Sequence, residues 1–401
     1  MRIVSKDGLS AIFLLSVLFV TTKSFYVFYG AAAFFLLILI AGGVSDFRIR
    51  VDVASGVAFV FLSSVFLIRT LYFSNPEDLK ELAKIFLFFL IVWIGFFVKR
   101  KRIEALFSIF VVLNFLLALS QFLGFYEFGL QAVSDHYNAE KHIEASLSYS
   151  VPRALGFSSG PGQQSVIGLF FFSYFLTLYF WSGGGTRRVI FASVSLAIVL
   201  LSQSKTALLS FLAGSVFLGM LIFGRANSRG KYAVAILGGV LAVVLIFGSE
   251  AIVNFFPEYA RLMEFGFGVS SLNDRYVNWE EMVDSFSKEG SVFFYIFGVG
   301  RSGLEAYGAG DLPFDSDYVY VFVNFGILGV VLFVLTMIFF LISGLSGFKR
   351  IGIYGKIIVV SLFYAIPAAI SLNYFIEPRL FFIYAILISC CIREVEGKEM
   401  A

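Results

Sequence analysis

The stretch RRVIFASVSLAIVLLSQSKTALLSFLAGSVFLGMLIFGR, residues 187–225, decides the fold. Two apolar runs stand back to back, bracketed by basic residues and parted only by the turn Ser202-Gln203-Ser204-Lys205. Apolar runs approaching about 20 residues are membrane helices, so this is a transmembrane hairpin with both basic ends on one side. Between Arg188 and Arg225 lie 36 residues. Removing the turn leaves about 16 per span, or about 24 Å at ~1.5 Å per residue, against a hydrocarbon core of ~30 Å. The turn is therefore expected to be recessed within the protein. Lys205 would then be a cation at membrane depth, which calls for an anionic partner.

Outward from this hairpin the same pattern recurs. Apolar runs lie near residues 9–22, 25–44, 53–71, 83–98, 103–124, 163–181, 189–201, 207–224, 232–249, 318–345, 354–372 and 380–392. The expectation is an all-α polytopic membrane protein of about 12 transmembrane helices, residues 1–401 forming one integral membrane domain. The first run follows Met1, Arg2 and Lys6 without a small-residue cleavage site, and reads as an uncleaved span. With 59% hydrophobic and 14% charged residues and a mean hydropathy of +0.90, the chain cannot hide its apolar surface in a water-soluble globule. A soluble enzyme, a disordered chain and a nucleic-acid-binding domain are excluded.

Lys and Arg orient the spans. Arg48 and Arg50, residues 99–102, Arg187 and Arg188, Arg225, Arg229 and Lys231, and Lys349, Arg350 and Lys356 fall in alternate loops. That side is read as cytoplasmic, with both termini. Assigned by face, 18 basic and 7 acidic residues lie inside, and 12 basic and 20 acidic outside. The only cysteines, Cys390 and Cys391, are adjacent, so no disulfide framework or Cys/His metal site is expected.

Two external segments are long, 126–162 and 250–317, and long loops are usually functional. The second holds 12 acidic and 4 basic residues. It is expected to contain a helix, 273–289, with Asn273 as cap, Gly290 after its end, and a stripe of Tyr276, Trp279, Val283 and Phe286. The stripe suits packing on the bundle or the membrane surface. Arg275 on the first turn suits a phosphate or a salt bridge to Glu280, Glu281 or Asp284. Gly298-Val299-Gly300-Arg301-Ser302-Gly303 lacks the lysine and hydroxyl of a nucleotide loop and reads as a close-packed substrate loop. Asp315 and Asp317, two residues apart at the entrance to a span, suit a base, a metal or a solvated helix start. Arg153 arrives from the first long loop, ahead of Gly160-Pro161-Gly162-Gln163-Gln164. Thirty-six residues also separate Lys356 from Arg393, so Arg379 in that turn is expected to be recessed, with Glu377 beside it. Arg153, Lys205 and Arg275 thus come from three external segments and a carboxylate pair from one of them. Cations beside a carboxylate suit a phosphate-bearing lipid and a general base.

Arg153-Ala-Leu-Gly-Phe, Gln203-Ser-Lys205-Thr-Ala-Leu-Leu-Ser, Asn273-Asp-Arg275-Tyr with Trp279, Gly298-Val-Gly300, Asp315-Ser-Asp317-Tyr and Asn324-Phe-Gly326-Ile-Leu-Gly329 occur in that order. In this the chain resembles the O-antigen polymerase/ligase (Wzy/WaaL-like) superfamily. The resemblance implies a glycosyltransferase that takes an oligosaccharide from undecaprenyl pyrophosphate at the periplasmic face of the bacterial inner membrane. It implies an inverting, metal-independent reaction with no cofactor, no metal site and no nucleic-acid partner, and a flippase and chain-length regulator in the same pathway. Arg153, Lys205 and Arg275 would bind pyrophosphate, and Asp317 or Asp315 would be the catalytic base. Arg301, Glu305, Arg379 and Gln163 are further candidates. Ligases typically carry a histidine near the end of the long loop, whereas His136 and His142 both lie in the other one. The polymerase branch is therefore favoured over the ligase, and both over a lipid-linked oligosaccharide flippase or transporter.

Overall fold

The computed structural model describes residues 17–19, 53–96, 98–125, 152–223, 259, 270–310, 312 and 314–395. Among these the fold is all-helical, with twelve α-helices and no strand. Helices α1 (Val53–Phe73), α2 (Glu77–Gly95), α3 (Arg100–Phe122), α4 (Pro161–Trp181), α5 (Thr186–Leu201) and α6 (Lys205–Phe223) come first. Helices α7 (Ser270–Glu289), α8 (Val292–Phe297) and α9 (Gly300–Ala306) belong to the second long loop. Then follow α10 (Asp317–Ser346), α11 (Ile353–Ala369) and α12 (Pro378–Val395). All but α7, α8 and α9 coincide with apolar runs. The runs 25–44 and 232–249, and all of 9–22 except 17–19, lie outside the described residues, as do His136, Lys141 and His142.

Among the described residues, four helical stretches are long and apolar enough to cross a membrane: Lys101–Phe122, Pro161–Trp181, Lys205–Ile222 and Asp317–Ser346. Helix α4 is the hub, buried along most of its length and packed on α5 and α11. Small residues let these helices approach. A Cβ at Gly168 would lie 2.7 Å from Val199 Cγ2 of α5, and one at Gly214 would lie 2.4 Å from the Tyr364 ring of α11. Helix α10 is the opposite case. Leu332, Leu335, Phe339 and Ile342 are exposed along it, the surface expected of a helix facing lipid. It is broken at Gly326, whose φ of 65° and ψ of −163° interrupt the helix.

The ends carrying the basic loops are pinned together. Arg188 pairs with Glu104 at 2.9 Å, and Arg393 donates to the carbonyls of Phe96 and Val98. Glu394 accepts the Ile353 and Tyr354 amides, an anion at a helix start that satisfies orphan N–H groups.

Helix α7 differs from its sequence reading at its start. It begins at Ser270, so Asn273 lies inside it and is not its cap. Within the Tyr276–Val283 stripe, Tyr276 is 57% exposed and Val283 42%, while Trp279 is half-buried. Met282 is the buried anchor, in a small core with Phe294, Val299, Leu304, Ala309 and Val323. The helix packs through the arc holding Met282 and Arg275, one side of the apolar stripe. Gly290 follows its end with φ +63°, as a C-terminal glycine does.

Candidate active site

The Arg153 loop is built by α3. Gln121 Oε1 accepts the Leu155 and Gly156 amides at 2.9 and 2.8 Å, and Asn114 Oδ1 accepts the Phe157 amide at 2.9 Å. Asn114 also exchanges hydrogen bonds with Gln164 on the first turn of α4. Sequence reasoning missed this pair. The signal was present: two amides seven residues apart, two turns on one face of an otherwise apolar helix.

The loop is then carried onto the hairpin turn. The Ala154 amide donates to Leu201 O at 3.0 Å, Gln203 Nε2 donates to Pro152 O at 3.4 Å, and Arg153 Nε donates to Ser202 O at 3.2 Å. Ser202, Gln203 and Ser204 are buried, so the turn is recessed as the span arithmetic requires, with Lys205 half-buried at the start of α6. The Tyr259 hydroxyl donates to Val199 O and Leu200 O, tying the second long loop to the same turn. Burial pushes this phenol above its usual range, opposed by the charge of Arg153.

Arg275 reaches the same place from α7. Its Nη1 donates to Ser371 O at 3.0 Å and its Nε lies 3.7 Å from Asp315 Oδ2. Burial lowers the Arg275 pKa, Asp315 opposes this, and the nearby positive charge of Arg153 adds to it. The Arg153 and Arg275 guanidiniums thus lie near enough to feel one another, with Asp315 facing Arg275. The Ser371 hydroxyl meets the Thr206 hydroxyl at 2.8 Å, so the residue after Lys205 shares Ser371 with Arg275. Arg275 and Thr206, the neighbour of Lys205, thus meet at Ser371, while Arg153 rests on the Ser202 carbonyl of the hairpin turn.

The two aspartates have different surroundings. Asp315 is about a third exposed and faces Arg275. Asp317 is fully buried at the start of α10. Its Oδ2 accepts the Tyr374 and Phe375 amides at 2.9 and 2.8 Å, and its Oδ1 accepts the Ile376 amide at 3.2 Å. Asp317 thereby holds the 371–377 loop in place. Ser316 caps α10 and also donates to Ala369 O.

The remaining candidates scatter. Arg379 is 2% exposed, recessed as expected, and lies 3.8 Å from buried Glu377. Gln163 is half-buried on the first turn of α4, beside the buried Gln164. Glu305 accepts from Asn75 between α1 and α2, away from Arg275. Arg301 lays its guanidinium over the Phe314 ring at 5.3 Å, next to Asp315. The glycine turn before it holds protein groups: a Cβ at Gly300 would lie 2.3 Å from Asp78 Oδ1. Among the described residues no group of three or more His, Cys, Asp or Glu is arranged to hold a metal.

No curated protein matches the chain. Residues 190–334 match the family described as O-antigen ligase. That segment runs from α5 into α10 and includes Lys205, Arg275, Asp315 and Asp317, so over these residues the chain is similar to that family, which supports the resemblance to the O-antigen polymerase/ligase superfamily.

Proposed function

We propose that the chain is a membrane glycosyltransferase that polymerises undecaprenyl-pyrophosphate-linked repeat units at the outer face of the bacterial cytoplasmic membrane. One observation carries the reading: Arg275, hydrogen-bonded to Ser371 O and facing Asp315, lies in the segment matching the family. A pyrophosphate is the anion that such a guanidinium fork binds and is the charge released when a lipid-linked glycan is transferred. Cations placed where charge develops in the transition state supply electrostatic catalysis.

In the proposed step an acceptor hydroxyl attacks the anomeric carbon as the bond to the pyrophosphate oxygen breaks, inverting that centre. The pyrophosphate leaves with the electron pair, held by Arg153, Lys205 and Arg275. Asp315, released from Arg275 as the guanidinium turns to phosphate, takes the hydroxyl proton. Asp315 suits this role better than Asp317, whose two oxygens already accept three backbone amides. The mechanism has no step for a metal or cofactor.

The ligase reading is the second, favoured by the description of the matching family. Deletion and complementation separate the two. A polymerase mutant leaves one-unit glycans, a ligase mutant accumulates unattached long polymer, and a wild-type glycan pattern in Arg275→Ala would overturn both.

A further inference from the structure

Outside this site one buried cluster has no part in the proposed chemistry. Arg69 of α1 and Asp78 of α2 form an ion pair at 3.0 Å with both side chains 0% exposed. Arg69 Nη1 also donates to Asn324 O at 2.5 Å, Phe297 O at 3.3 Å and Gly298 O at 3.4 Å. Phe297 and Gly298 close α8, where helix carbonyls lack partners. Asn324 precedes the break in α10 at Gly326, which likewise interrupts the helical ladder. At the other end of the pair, Asp78 Oδ1 accepts the Arg301 and Ser302 amides at the start of α9. The cation thus satisfies loose carbonyls and the anion satisfies loose amides, and the pair joins α1 and α2 to α8, α9 and α10.

Two routes lead from this junction to the site. Arg301, held by its amide on Asp78, stacks on Phe314 beside Asp315. Met282 of α7, two turns from Arg275, is buried in the core formed by Phe294 of α8, Leu304 of α9 and Val323 of α10. We infer that Arg69 and Asp78 are positioning residues, which set the placement of Arg275 and Asp315 by anchoring the end of the second long loop to α1 and α2. The activity consequence rests on the transferase reading above; the geometric one does not.

The test measures the two consequences separately. A Cys390→Ser, Cys391→Ser background carrying Val283→Cys on α7 and Leu332→Cys on α10 is spin-labelled in lipid nanodiscs, with and without Asp78→Asn. The same Asp78→Asn change is assayed for transfer from a lipid-linked donor. The expected result is a broadened, shifted distance distribution in folded protein. With it comes a fall in kcat/KM of about 10- to 100-fold, carried mainly by kcat, with the shape of the kcat pH profile kept. A folded Asp78→Asn protein with unchanged distances overturns the inference. Changed distances with no transfer activity even in the parent would uphold the positioning and reject the transferase reading. If Asp78→Asn does not fold, Arg69→Lys is measured the same way, since a single ammonium cannot serve the carboxylate and three carbonyls together. If neither folds, the pair serves the whole bundle and the inference is overturned.

Discussion

Arg275 Nη1 donates to the carbonyl of Ser371 at 3.0 Å, across 96 residues of sequence. The bond connects α7 of the second long loop to the turn between α11 and α12, and the Ser371 hydroxyl passes the link to Thr206 beside Lys205. Ser371 is therefore where the cationic segments are brought into register.

Arg275→Ala should lower transfer from the lipid-linked donor by about 10²–10³-fold, the loss typical of removing one preorganised stabiliser of developing charge. Arg275→Lys should recover little, because a point charge cannot hold Ser371 O and face a phosphate through a planar fork. Steady-state transfer by purified protein in nanodiscs is the measurement. Lys equal to Arg would show that charge alone suffices.

The two aspartates should separate in their pH profiles. Asp315→Asn should reduce kcat by about 10²–10⁴-fold and flatten the acidic limb, as loss of a general base does. Asp317→Asn should keep the limb but raise KM, because an asparagine amide sets a donor against backbone N–H groups and loosens the 374–376 segment. The reverse pattern would move the base to Asp317.

The Arg153 loop should be intolerant of side chains at its turn. Gly156 has φ +50°, and a Cβ there would lie 2.1 Å from Gln164 Nε2 and 2.3 Å from Asn114 Oδ1. Gly156→Ala should destabilise by about 1–3 kcal/mol from the strained backbone. Gln121→Leu should destabilise by about 1–3 kcal/mol per amide left buried without its acceptor. Thermal unfolding in detergent, paired with transfer assays, checks both. Unchanged stability in Gln121→Leu would show that water replaces the side chain.

Replacing one member of the buried Arg379–Glu377 pair should be worse than replacing both. Glu377→Met leaves a buried cation and should destabilise by about 3–5 kcal/mol, whereas the Glu377→Met, Arg379→Met double variant should be milder. Equal losses would show that the pair contributes no net coupling.

The apolar runs, the recessed 202–205 turn and the buried Arg379 follow from residue counts and hydrophobicity. These are local quantities: a helix length and a bilayer thickness are enough to place them. Arg153, Lys205 and Arg275 were also conspicuous in the sequence, as isolated cations among segments rich in acidic residues. The different surroundings of Asp315 and Asp317 were not, since two aspartates two residues apart look alike until the 374–376 amides arrive from 57–59 residues away. Nor was the role of the Gly298–Gly300 turn, whose close neighbours Arg69 and Asp78 lie more than 220 residues earlier. By itself the sequence determined which segments are apolar helices and where its few charges stand. Only the tertiary structure decided which charge meets which partner, because buried polar groups are satisfied by whatever distant backbone the packing of the helices delivers.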